Sequence, residues 1–202
     1  MTRPRALFAL SMALSCLHAF AADKIRVVNE GGIRDEWGLA AGFKLAVPTY
    51  PAEYAAQRAE ACVAIGYLVN ADGSTSDFAL LKSWTSANLP SGSTREYWCA
   101  FAQASAQALS QWRFQPRPEV RAARPVFTVA TLLFAVQTPQ LRDRCAIPDL
   151  AARLRELRGE SGMRRRLDVD LYDRLDVDPL RYERDEQGRE ARETGARRTP
   201  GQ

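Results

Sequence analysis

The chain has 202 residues, 46% of them hydrophobic, enough for one domain of common size with a buried core plus additional segments. Its formal net charge of +4 comes from scattered arginines, with no lysine-rich run and no basic patch interleaved with aromatics, so no nucleic-acid groove is expected. Histidine occurs once, as His18.

At the N-terminus, Arg3 and Arg5 precede an apolar run from Ala6 to about Leu17, and Ala19-Phe20-Ala21 offers small-x-small cleavage before Ala22. Residues 1–21 therefore read as a signal peptide. Two alternatives stay open: an uncleaved inner-membrane signal anchor, since the run to Ala22 is just short of the ~20 residues of a spanning helix, and a lipoprotein whose lipid-bearing residue is Cys16. Cleavage removes His18, which excludes histidine-based triads and histidine-containing zinc sites from the mature chain. No metal and no cofactor is expected.

Residues 22–45 form an N-terminal extension. Lys24 to Val28 alternates polar and apolar as a short strand does, Gly31-Gly32 is a turn, and Trp37 is expected to pack rather than to contact a ligand. In Val47-Pro48-Thr49-Tyr50-Pro51 two prolines hold an extended entry, and a short helix is expected over 52–59. Val63, Ile65, Tyr67 and Val69 then alternate with Cys62, Ala64, Gly66 and Leu68, a period of two that predicts a strand. Asp72-Gly73 turns it back into a second strand from Thr75 to Leu81, with Phe78 and Leu80 as its apolar face.

A long loop from Ser83 to Thr94 leads into a helix whose Phe101, Ala104, Ala108 and Trp112 share one face. At Gln111-Trp112-Arg113-Phe114-Gln115-Pro116 the helical period fails and the chain must turn, because Pro116 cannot continue a helix. The most strand-like run follows, from Val126 to Val136. These elements predict an α+β fold: a three-stranded, antiparallel-dominated sheet in the order second, first, last, with two helices on one face. The last strand would then lie at an edge, exposed unless covered or meant for pairing.

Residues 138–202 change to arginine against aspartate and glutamate. A short helix is expected over 149–158, with Asp149 as its cap and Leu150, Leu154 and Leu157 on one face. The repeat of Arg166-Leu167-Asp168-Val169-Asp170 in Arg174-Leu175-Asp176-Val177-Asp178 lacks the glycine and distal glutamate of a calcium loop and reads as a solvated charged segment. From about Glu183 onward the composition is that of a disordered tail.

Taken in order, Tyr50-Pro51, the strand from Glu60 to Val69, the turn at Gly73, Phe101 eleven residues before Trp112, the Trp112-Arg113-Phe114-Gln115-Pro116 joint and the closing strand resemble the C-terminal domain of TonB energy transducers. The resemblance covers residues 46–137. It implies a small periplasmic domain that binds an extended peptide of an outer-membrane receptor by adding it to its own sheet, in the service of energy-dependent transport across that membrane. The receiving strand maps onto Val129, Ala130, Thr131, Leu132, Leu133, Phe134, Ala135 and Val136, with backbone bonds supplying affinity and alternate side chains selectivity. Another protein of the TonB system is the alternative partner. This chain departs from the pattern in having Ala61 after Glu60, an expanded loop before the helix, no long proline-rich spacer and an extra charged tail.

Signal cleavage leaves Cys62, Cys99 and Cys145 in an oxidising compartment. Cys62 opens the first strand and Cys99 the long helix, so a bridge between them would pin helix to sheet; free buried thiols, or pairing of the odd cysteine with another chain, are the alternatives. A second function class is a structural envelope protein that self-associates, as a homodimer through the edge strand, with Lys24 to Val28 or the tail covering that edge. An enzyme is the weakest expectation: Glu60, Asp72, Asp77 and Arg113 sit beside structural joints, where caps, turns and surface charges belong, and no small-molecule substrate is expected.

Overall fold

The computed structural model describes residues 24–90, 92–159 and 168–177. The expected signal peptide with Cys16 and His18, the first copy of the repeat up to Leu167, Asp178, and the tail from Glu183 lie outside the described residues.

The centre of the molecule is β3 (Ala61–Val69), every residue of which is buried. Its alternation is one of size. Val63, Ile65, Tyr67 and Val69 fill the core on one face, while Cys62, Ala64, Gly66 and Leu68 leave room for close packing on the other. A Cβ on Gly66 would lie 2.7 Å from the ring of Phe127 and 2.9 Å from Leu81, so a larger residue there would have to displace these two buried side chains. β4 (Thr75–Thr85) pairs antiparallel on one side of β3 and β6 (Val126–Phe134) on the other, from Ala61↔Phe134 to Val69↔Val126. The expected order of these three strands is present, β4-β3-β6.

The sheet nevertheless has five strands, not three, in the order β4-β3-β6-β1-β7. β1 (Ile25–Val27) pairs parallel with the start of β6, and β7 (Leu175–Asp176) pairs parallel with β1. β6 is therefore an interior strand rather than an edge strand. It stops at Phe134, because Ala135 takes a left-handed φ of 49° and Val136 projects into solvent. β4 runs four residues past Leu81, and both its faces pack, Phe78 and Leu80 on one side and Ala79 and Leu81 on the other.

Helices cover both faces, not one. On the first lies α1 (Thr94–Leu109), which buries Tyr97, Phe101, Ser105 and Ala108 at helical spacing. It ends at Leu109; Gln111 and Trp112 then donate to carbonyls three residues back, tightening the exit. Over 52–57 the expected helix is a 3-10 turn. The second face is closed by α2 (Leu141–Cys145), α3 (Leu150–Gly159) and α4 (Val169–Arg174), with Leu150, Leu154, Leu157, Leu171 and Leu175 buried against Ile25, Leu68, Leu81 and Phe127. The expected helix over 149–158 is present as α3, and Asp149 Oδ1 accepts the amide of Ala152.

Residues 138–177 thus belong to the core where they are described, and the second copy of the repeat is not a solvated segment. Asp168 caps α4 by accepting the amides of Asp170 and Leu171, and Leu175 enters the sheet. The reason lies in the small-residue face of β3: left open, it would expose Leu68, Leu81 and Phe127, and the leucines of the arginine-rich segment cover them. The disulfide joins Cys62 to Cys145, not to Cys99, with a Cα–Cα distance of 5.9 Å. Cys62 points to the face opposite α1, out of reach of Cys99, which is free and exposed. No helix among the described residues is long and apolar enough to cross a membrane.

Candidate functional site

The residues of the sequence signature are gathered around one corner of the sheet. Tyr50 stands edge-on to Phe101 at 5.1 Å and to Phe134 at 6.1 Å, and Phe101 stands edge-on to Phe134 at 4.8 Å. The Tyr50 hydroxyl donates to the carbonyl of Ala59 at 3.0 Å; burial, with Tyr97 close by, pushes its pKa up to about 12. Pro51 starts the 3-10 turn that carries Tyr54 onto the same ring cluster. Across the strand end, the Trp112 indole donates to the carbonyl of Ala46 at 2.9 Å, which ties the helix exit to the extended entry.

The joint after Trp112 is built from backbone. Gly73, in the turn between β3 and β4, has a φ of 80°, and its carbonyl accepts the amide of Phe114 at 2.9 Å. Arg113 folds back to donate to the carbonyls of Ser110 and Trp112. From Phe114 the chain forms β5 (Phe114–Pro116), paired antiparallel with β2 (Trp37–Leu39) as a separate two-stranded sheet. Trp37 is buried, as expected of a packing residue.

The expected receiving strand is the last of these parts. Phe127 accepts the amide of Val28 at 3.0 Å, and Thr131 donates its amide to Glu30 at 2.8 Å. By the alternation of a strand, Phe127, Val129, Thr131 and Leu133 therefore turn their backbone groups away from β3, and Ala130 and Leu132 turn theirs toward it. β1 occupies only the beginning of that outer side, at Arg26↔Val126 and Val27↔Phe127. Past it the neighbouring chain leaves through Gly31, with a φ of 80°, and among the described residues no strand pairs with the outer side of 129–134. Glu30 reaches back instead: its carboxylate takes the amide and the hydroxyl of Thr131 and is held by Arg142 at 2.7 Å.

This ionic plug carries no signal in the sequence, because Glu30, Thr131 and Arg142 are far apart in the chain. The long outer strand β4 is blunted too. The guanidinium of Arg153 donates twice to the carbonyl of Leu81, at 3.1 and 3.0 Å, and Lys82 donates to the carbonyl of Ala146. Beyond Thr128 the outer side of β6 is thus met at Thr131 by a side-chain carboxylate where β1 would have continued.

Of the charged residues beside joints, Glu60 is a cap. Its carboxylate accepts the amides of Gln137 and Thr138 at 2.5 and 2.6 Å, and these bonds, with the Thr138 hydroxyl, hold its pKa below the usual carboxylate value. Asp72 accepts the hydroxyl and amide of Ser74 and is lowered for that reason. Asp77 is exposed, with its φ at 55°. No group of three or more histidine, cysteine or acidic side chains among the described residues is placed to hold a metal ion.

No family model and no curated protein matches the chain. Among solved structures, the chain is similar to the solution NMR structure of the Pseudomonas aeruginosa TonB C-terminal domain, with 22% identity and a TM-score of 0.38, over 50% of this chain and 88% of that one.

Proposed function

We propose that the chain is a TonB-like binding module of the periplasm, which takes up an extended peptide of an outer-membrane receptor, or of another TonB-system protein, along the outer side of β6. The observation that carries this reading is that, among the described residues, β6 loses its outer strand neighbour after Phe127, while the seven residues from Thr128 to Phe134 continue as regular strand paired with β3. A strand side without a strand neighbour, in register with a rigid sheet, is what strand addition needs, and it requires no catalytic group.

A second reading, an envelope protein that self-associates without transducing energy, is favoured by a different observation. Residues 25–27 already lie on β6, with β7 outside them, so the first part of the edge is covered by the chain itself.

Pull-down with receptor N-terminal peptides tests the first reading. Thr131→Pro and Leu133→Pro each remove an outward-facing donor while leaving the inward ladder to β3 intact. Peptide capture by the wild type that is lost in both variants, at an unchanged oligomeric state, supports strand addition. Capture that survives both prolines, or a wild type that captures nothing and sediments as a dimer, favours the second reading.

A further inference from the structure

Residues 28 to 30 follow β6 in steps that change chemistry. Val28 donates its backbone amide to Phe127 as a strand would. The carbonyl of Asn29 receives the Thr128 hydroxyl at 3.2 Å, a side-chain bond in place of a ladder bond. At Glu30 the backbone has left, and the side-chain carboxylate supplies an acceptor to the amide of Thr131. That is the position at which the carbonyl of a continuing strand would sit.

Each oxygen of Glu30 is engaged: Oε1 with the Thr131 amide and Arg142, and Oε2 with the Thr131 hydroxyl at 2.9 Å. The helix α2 that carries Arg142 is itself anchored by buried Leu141 and by the disulfide from Cys145 to Cys62 of β3.

We propose that the Glu30–Arg142 pair is an autoinhibitory latch: the carboxylate stands in for a partner strand at Thr131, and an extended peptide pairs along 129–133 only when Glu30 swings out. This rests on the reading of β6 as the receiving strand. The physical reason is competition for one donor. A backbone N–H directed out of the sheet edge takes one good acceptor, and a charged acceptor held by an arginine is stronger than a neutral carbonyl. Glu30 is tethered at the end of β1, so it returns whenever no peptide is present, and the edge never stands open to unwanted pairing.

Hydrogen exchange on the full chain reads the latch, and affinity for a receptor N-terminal peptide reads its consequence. In Glu30→Ala the amide of Thr131 exchanges about tenfold or more faster, while those of Ala130 and Leu132, turned toward β3, are unchanged. Arg142→Ala, at a half-exposed side chain, keeps Glu30 and the core and moves Thr131 the same way by about threefold. Both variants bind the peptide more tightly than the wild type, in the same rank order. Unaltered exchange at Thr131 in both variants overturns the latch. Faster exchange with peptide affinity equal to that of the wild type also overturns it, yet leaves the proposed function standing. Peptide binding by none of the three chains overturns that function, and the latch falls with it.

Discussion

The carbonyl oxygen of Phe114 lies 1.8 Å from where a Cβ on residue 73 would be, and the carbonyl of Gly73 accepts the Phe114 amide in return. The hairpin turn and the aromatic joint, far apart in sequence, are thus interlocked through backbone. Gly73→Ala combines a left-handed φ with a clash that no side-chain rotation relieves, and is expected to cost about 3 kcal/mol or more. Gly42→Ala is the control: its φ is 79° but open space surrounds it, so only the strain of about 1 kcal/mol applies. Urea unfolding midpoints of the two variants compare them directly.

The disulfide gives a second test. Cys62–Cys145 closes a loop with a sequence separation of 83, for which chain entropy predicts stabilisation of about 4.5 kcal/mol. Replacing both residues by alanine should lower the melting temperature accordingly, whereas Cys99→Ser should leave it nearly unchanged. Alkylation of the folded protein followed by non-reducing peptide mapping should find Cys99 modified and Cys62 linked to Cys145. A Cys62–Cys99 peptide would refute the arrangement.

Acid sensitivity follows from Glu60. Its folded-state pKa is lowered by the amides of Gln137 and Thr138, so its contribution is fully present above the unfolded glutamate value of about 4.3 and is lost as pH falls through the lower folded value. Glu60→Gln should therefore be less stable than the wild type at neutral pH, with the difference shrinking toward pH 3. Asp72, lowered by Ser74, acts in the same direction, so Asp72→Asn should flatten the acid limb further. Denaturation midpoints measured from pH 7 down to pH 3 would show both effects.

The arginine-rich segment can be tested as part of the core. Leu154→Ala removes a fully buried side chain facing the small-residue side of β3 and should cost about 3 kcal/mol, against less than about 0.5 kcal/mol for alanine at the exposed Glu156. A chain ending at residue 137 should bind a hydrophobic dye and aggregate, because Leu68, Leu81 and Phe127 lose their cover. Native-like melting of that truncated chain would show that the segment is dispensable.

Much was settled by local pattern. The period-two runs located β3, β4 and β6, the 3.6 period located α1 and α3, and proline and glycine placed the turns, because each of these signals depends on neighbours a few residues away. The same patterns set the order β4-β3-β6, since a hairpin and one helical crossover leave few ways to arrange three strands. What covers the outer side of β6 was decided only by tertiary contact. The alternation over Lys24 to Val28 marked β1 as a strand without saying which strand it joins, β7 is too short to announce itself, Cys62 chose Cys145 because Cβ direction and not sequence distance selects the partner, and Glu30 meets Thr131 through a long-range return of the chain. A leucine stripe in an arginine-rich segment reads as surface until the open face of a sheet is there to receive it. Periodicity says that a face is apolar; only the assembled sheet says which one still lacks a neighbour.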